Sequence, residues 1–134
     1  MAVRSPILNV MVGAAEKASR TMKRDFGEVE HLQVSRKGTN DFVTAADTRT
    51  EKILQYELAK ARPAFGFIME ESGVVEGEDP NRTWIIDPID GTTNFIHGIP
   101  HFAISIALQE HGELVAGLVY APVFDEMFLA EKGQ

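Results

Sequence analysis

One stretch near the middle of the chain carries the densest chemistry: Trp84-Ile85-Ile86-Asp87-Pro88-Ile89-Asp90-Gly91-Thr92-Thr93-Asn94-Phe95. An apolar run enters two carboxylates three residues apart and leaves through a glycine and two threonines. Carboxylates at the end of a buried strand cost several kcal/mol unless something positive neutralises them. The segment contains no Lys or Arg. Either the two aspartates point to water or they hold a cation.

Pro88 fixes its own φ and has no N–H, so the strand's hydrogen-bond ladder is expected to stop there and the chain to turn. Such a turn brings both carboxylates to one side and leaves the Ile89 carbonyl as a further oxygen donor. Magnesium favours hard oxygen ligands at about 2.0–2.1 Å and keeps several waters. Two aspartates, a carbonyl and waters meet that need. Gly91 to Phe95 reads as the first turn of a short helix, whose unpaired N–H groups would face an anion beside the metal. A turn built from Asp, Pro and Gly is the plainer reading of the same residues.

Glu70-Glu71 also follows directly on an apolar strand. On its own the pair reads as a solvated strand end. If its strand neighbours that of Asp87, Glu70 reaches the same cations. Metal-assisted hydrolysis of a phosphate ester needs a polarised phosphoryl oxygen, an activated water and a stabilised leaving oxygen. Thr92 and Glu70 are placed in sequence to position and deprotonate that water. His97 and His101 are four apart, but Gly98 and Pro100 between them argue against a helical zinc pair.

The elements that must position these groups follow from periodicity. Ser5-Pro6 is a cap and a first-turn proline, and Ile7, Leu8, Met11, Ala14, Ala15, Ala18 and Met22 repeat at helical spacing. That helix is expected to end near Phe26-Gly27. A short polar strand over His31–Arg36 and a loop over Lys37–Asp41 are expected next. Thr44 with Asp47 reads as a capping box opening a second helix, which Pro63 stops. Strands follow at Ala64–Met69 and Trp84–Ile86, separated by a polar loop over Ser72–Arg82. Further strands are expected from Phe102 to Leu108, from Leu114 to Tyr120 and from Met127 to Glu131. Short turns between strands predict an antiparallel meander. Two helices and a sheet imply α+β layering, with the sheet's small residues facing the helices.

The 134 residues are enough for one domain with a real core. Twenty acidic against 13 basic residues give a net charge of −7. That balance argues against direct nucleic-acid binding and against anionic membrane, both of which need a basic face. There are no cysteines, which excludes thiolate metal sites and makes the reducing cytoplasm the simplest home. The N-terminus lacks the apolar run of a signal peptide or a membrane span.

"DFVTAAD" at 41–47, "EES" at 70–72 and "WIIDPIDGTTNF" at 84–95 resemble the inositol monophosphatase family of magnesium-dependent, lithium-sensitive phosphatases. The resemblance runs over essentially the whole chain, in order and spacing. It implies a layered α-β-α-β-α fold and a homodimer. It implies that Glu70, Asp87, Asp90 and the Ile89 carbonyl bind Mg2+, two or three ions per site. Asp90, Gly91 and Thr92 would contact the substrate phosphate, with Glu70 and Thr92 activating the water. Lys37, Asp41 and Asp47 resemble residues of the outer shell.

Two departures stand out. Met69 occupies a position where the family commonly has glycine. Family members are also about twice as long, and their C-terminal half supplies a further metal-binding aspartate in a Trp-Asp pattern that this sequence lacks. Residues 1–134 are accordingly expected to form the N-terminal α+β part of a longer domain. The expected reaction is hydrolysis of inositol monophosphate. The alternatives are another small phosphate ester (a sugar bisphosphate, histidinol phosphate or 3′-phosphonucleotide) or a non-catalytic partnership with the transcription machinery.

Overall fold

The structure, a computed structural model, describes residues 4–32 and 36–133, and side chains only outside residues 30–40. Helix α1 spans Pro6–Leu32 and α2 spans Arg36–Ala61. Strands β1 (Gly66–Met69), β2 (Gly73–Val75) and β3 (Arg82–Asp90) precede a short helix α3, Thr92–Ile96. Strands β4 (Ala103–Glu110), β5 (Glu113–Ala121) and β6 (Glu126–Glu131) complete one six-stranded sheet in the order β2-β1-β3-β4-β5-β6.

Ser5 caps α1 as expected, its Oγ accepting the Leu8 N–H at 3.2 Å. The helix does not stop at Gly27. It continues to Leu32 because the buried stripe continues: Met22 and Val29 are both fully buried, and one interior glycine costs a helix only about 1 kcal/mol. The strand expected over His31–Arg36 is contradicted at both ends, which are helical; residues 33–35 lie outside the described residues. The loop expected over Lys37–Asp41 is the first part of α2. Thr44 is therefore inside a helix rather than its cap, and its carbonyl accepts the Thr48 hydroxyl. Buried Val43 and Ala46 extend the apolar face upstream of that position and carry the helix with it.

The meander from β3 to β6 is antiparallel throughout. His111 and Gly112, both with positive φ, make the two-residue turn between β4 and β5 that matches strand twist. The sheet as a whole is mixed, because β1 runs parallel to β3. The polar loop expected over Ser72–Arg82 contains β2, which folds back antiparallel on β1.

Both long helices cover one face, α2 over β3 and α1 over β4 and β5. Trp84, Ile86, Ile104, Ile106, Leu108 and Leu118 are buried there. This reverses the expectation that small residues face the helices. The bulky side chains fill the gap to the helix layer, and Ala103, Ser105, Ala107 and Gly117 occupy the other face. Phe26, Phe95 and Phe102 meet with ring centroids 4.8–5.5 Å apart and fasten α3 to α1. Among the described residues no helix is long and apolar enough to cross a membrane.

Candidate functional site

Residues three apart in a regular strand point to opposite faces, so Asp87 and Asp90 cannot share a side without an irregularity. The structure supplies one at Pro88. Asp87 pairs with Ser105 and Asp90 with Ala103, so Pro88 and Ile89 together stand opposite Ile104 alone. This is a β-bulge, the expected consequence of a residue that cannot donate to the ladder. Since Ser105 and Ala103 lie on one face of β4, the bulge returns both aspartates to one face of β3. The ladder does not end at Pro88, as the sequence suggested; it skips and resumes for one residue.

The parallel pairing of β1 and β3 matches Met69 with Ile86. The next residue on each strand is a carboxylate, Glu70 beside Asp87. The neighbouring of these two strands, posed as a condition by the sequence, is met. Glu70 is pushed up to about 7, first by a hydrogen bond with Asp87, then by desolvation, then by repulsion from Asp87, Glu71 and Glu51. Asp47 reaches the same group from α2 and is also raised to about 7, from the ordinary 3.8. Desolvation is the main cause there, followed by repulsion from Glu70, Glu71 and Asp87. One oxygen of Asp47 (Oδ1) and one of Asp87 (Oδ1) are buried with no hydrogen-bond partner. Buried carboxylate oxygens without donors are uncommon, and this donor set is hard oxygen, the chemistry of a magnesium or calcium ligand. Among the described residues no three acidic or histidine side chains converge closely enough to enclose an ion by themselves. Hard oxygen donors of this kind, fewer than a full shell, suit a magnesium-type cation, which keeps several waters when bound.

Beyond the bulge, Gly91 has φ 95° and precedes α3. A Cβ there would sit 2.9 Å from the His101 carbonyl oxygen, so both the conformation and the space require glycine. The Thr92 hydroxyl donates to the Ile89 carbonyl at 3.0 Å. That carbonyl is thus engaged rather than free, with its second lone pair left over. Asn94 Nδ2 donates to the His101 carbonyl at 2.7 Å and closes the segment. A shallow cleft of about 350 Å³ opens beside Asp90 and Gly91 and is lined also by His101 and Phe124.

The remaining sequence-derived positions divide. Asp41 lies exposed on α2, upstream of Asp47. Lys37 is in the first turn of α2, and its side chain falls outside the described residues. Met69 is buried in the core. His97 and His101 are both exposed and do not share a helix. Sequence reasoning missed Glu51, which is 1% exposed and accepts hydrogen bonds from the Glu71 N–H, the Ser72 N–H and the Ser72 hydroxyl at 2.9, 3.0 and 2.6 Å. A signal existed: Asp47, Glu51, Leu54 and Leu58 follow one another at helical spacing, placing a charged residue on an apolar stripe.

Two helices over one face of a mixed sheet, with carboxylates gathered where two parallel strands end, define an α+β protein built around an acidic site. The chain belongs to the inositol monophosphatase family, whose profile matches residues 3–134. It is 59% identical over 130 residues to an inositol-1-monophosphatase of Mesorhizobium japonicum, covering 97% of this chain and 49% of that protein. Against the Nus factor SuhB of Escherichia coli K12 it is 43% identical, covering 96% of this chain and 48% of the other. Among solved structures, the extragenic suppressor protein SuhB of Bartonella henselae superposes with a TM-score of 0.85 at 53% identity, over 96% of this chain and 49% of that one. The chain thus spans about half the length of these relatives.

Proposed function

We propose that this chain provides the metal- and phosphate-binding face of a magnesium-dependent phosphomonoesterase that hydrolyses inositol monophosphate. The observation that carries the reading is the group of Asp47, Glu70 and Asp87, in which the Asp47 and Glu70 carboxyls are pushed up to about 7 and one oxygen each of Asp47 and Asp87 is buried without a donor. Relatives at 55–59% identity are named inositol-1-monophosphatase, which supports this substrate over a sugar bisphosphate, histidinol phosphate or 3′-phosphonucleotide.

Glu70, Asp87, Asp90 and the second lone pair of the Ile89 carbonyl would hold two or three Mg2+ ions. When bound, such ions polarise the phosphoryl oxygen, acidify a water and stabilise the leaving oxygen. The chain's own groups do the rest. The Thr92 hydroxyl spends its proton on Ile89, so its oxygen faces the attacking water as an acceptor and orients it. The Glu70 carboxylate takes the proton that this water gives up. Gly91, with its backbone turned by the positive φ, lets the N–H groups around it approach the phosphate without a side chain in the way. Asp47, and with it Asp41 and Lys37, would act from the outer shell. The cleft bounded by His101 and Phe124 leaves room for the polyol.

A cytoplasmic homodimer sensitive to lithium is part of the same proposal. The test is phosphate release from inositol 1-phosphate by the full-length protein, with and without Mg2+, and with Li+ added. Magnesium-dependent release blocked by lithium is the expected result. A folded, magnesium-binding protein that released no phosphate from this or other small esters would overturn it. That outcome would favour the second reading, a non-catalytic role beside the transcription machinery, which draws on relatives at 41–43% identity named Nus factor SuhB.

A further inference from the structure

We propose that Glu51 is a positioning residue that sets the magnesium affinity of the site by holding the Glu71–Ser72 backbone. The inference rests on the phosphatase reading and concerns a residue that touches neither substrate nor metal. Glu51 is almost completely buried, yet among the described residues it forms no ion pair. Its Oε2 accepts the Glu71 N–H, and its Oε1 accepts both the Ser72 N–H and the Ser72 hydroxyl. Three donors on one carboxylate are the means by which a buried charge is stabilised without a counter-ion.

The turn it holds is the three-residue loop between β1 and β2, closed by the Met69–Gly73 pair, and Glu51 ties that loop to α2. Strand β1 is four residues long, Glu70, Glu71 and Ser72 are all exposed, and Gly73 turns the chain with φ 71°. Glu70 is the residue between the last β1 pair and the first of these clamped N–H groups. Its Cα is thereby fixed from both sides, by the β3 ladder at Met69 and by Glu51 at Glu71. Glu51 also lies one helical turn after Asp47 on α2, so a single rigid element fixes the spacing of Asp47 to Glu70.

The choice of a carboxylate is informative. Its charge adds to the repulsion on Asp47 and Glu70, which a neutral clamp would not do. A carboxylate is nevertheless the side chain whose two oxygens both accept, and this turn presents donors to both.

Three variants of the full-length protein test the proposal: Glu51→Gln, Glu51→Asp and Ser72→Ala. Glutamine keeps the volume but turns an NH2 toward an N–H donor, releasing at least one end of the turn. Magnesium binding by calorimetry, in the absence of substrate, is expected to weaken about 10-fold in E51Q. Amide exchange at Glu71 and Ser72 in metal-free protein is expected to accelerate. E51D restores the carboxylate one methylene short and recovers part of the affinity. At saturating Mg2+ the substrate KM is expected to stay near the wild-type value, a split that general loss of structure would not produce. Ser72 is exposed, so S72A tests the clamp even where E51Q fails to fold; it is expected to weaken Mg2+ about 3-fold. Wild-type Mg2+ affinity in S72A together with wild-type affinity in a folded E51Q, or with no folded E51Q at all, overturns the proposal. Because binding and exchange are measured without turnover, an inactive wild-type protein would refute the phosphatase reading while leaving this result separately decided.

Discussion

Asp25 and Asp47 are both buried aspartates at the contact of a long helix with its surroundings, and the fold treats them oppositely. Asp25, on α1, accepts from Arg49 of α2, with nitrogens at 3.1 and 3.2 Å. Asp47, on α2 itself, faces Glu70, Glu71 and Asp87 and has one oxygen with no donor. Glu51 stands between the two cases, buried with no cation among the described residues but with donors on both of its oxygens. Three carboxylates on or against one helix thus answer the same desolvation penalty with a guanidinium, with backbone amides, and, at Asp47, with one oxygen left without a donor. The first two are structural solutions. The third leaves a charge imbalance that suits a ligand from solution, and among the described residues it is found where β1 and β3 end.

The largest effect that could break this contrast is on turnover. Asp90→Asn, which removes a charge shared by metal and phosphate in the proposed site, is expected to lower phosphate release by about 100-fold or more. Circular dichroism and the thermal midpoint of the metal-free protein should stay at wild-type values. Retained turnover would place the chemistry elsewhere. On the other side of the comparison, Arg49→Met leaves Asp25 buried with Arg24, 3.9 Å away, as its remaining cation among the described residues. We expect a loss of about 2 kcal/mol in urea unfolding, below the usual cost of a broken buried pair because the Arg49 side chain is 40% exposed. Magnesium should not restore it.

Exchanging the acid for its amide sharpens the contrast further. Asp47→Asn is expected to raise metal-free stability at pH 8 by about 1–2 kcal/mol, since it removes a repelled buried charge. Asp25→Asn should lower it by a similar amount, since it weakens a charge-assisted bond. If both amides destabilise, Asp47 is held by partners as Asp25 is. The smallest expected effect is on pH dependence. Asp47 and Glu70 are pushed up to about 7 in the folded protein, from ordinary carboxyl values near 4. The folded state binds more protons between those limits, so their contribution is full below about pH 4 and is lost as pH rises through about 7. Metal-free stability should therefore fall across that window, and saturating Mg2+ should flatten the slope. A metal-free slope of the opposite sign would mean that the cluster is stabilised as carboxylates.

The sequence made the two aspartates of β3 and the glycine after them legible, because charge at the end of an apolar run is conspicuous in any context. It did not reveal how Asp87 and Asp90 come to share a side. That depends on a bulge whose partner strand lies some fifteen residues on, at Ala103–Ser105. Local turn chemistry in Lys37–Asp41 misled, since buried Val43 and Ala46 decide the helix there. Which face of β4 meets the helices was likewise open, because alternation separates two faces without naming the covered one. Glu51 was overlooked for a related reason: charge on a helix reads as solvent-facing until the packing beneath it is known.

The bond between the Ser5 hydroxyl and Glu131, 2.7 Å long and spanning 126 residues of chain, sets a schedule for the first helix. At about 5–20 residues per second of synthesis, the acceptor emerges roughly 6–25 s after the donor. Throughout that interval Ser5 can serve only its own helix, capping the Leu8 N–H. The start of α1 must therefore be kept by a local bond while the strands it will rest on are still being made, and the long-range bond locks a terminus that a three-residue loop has already shaped.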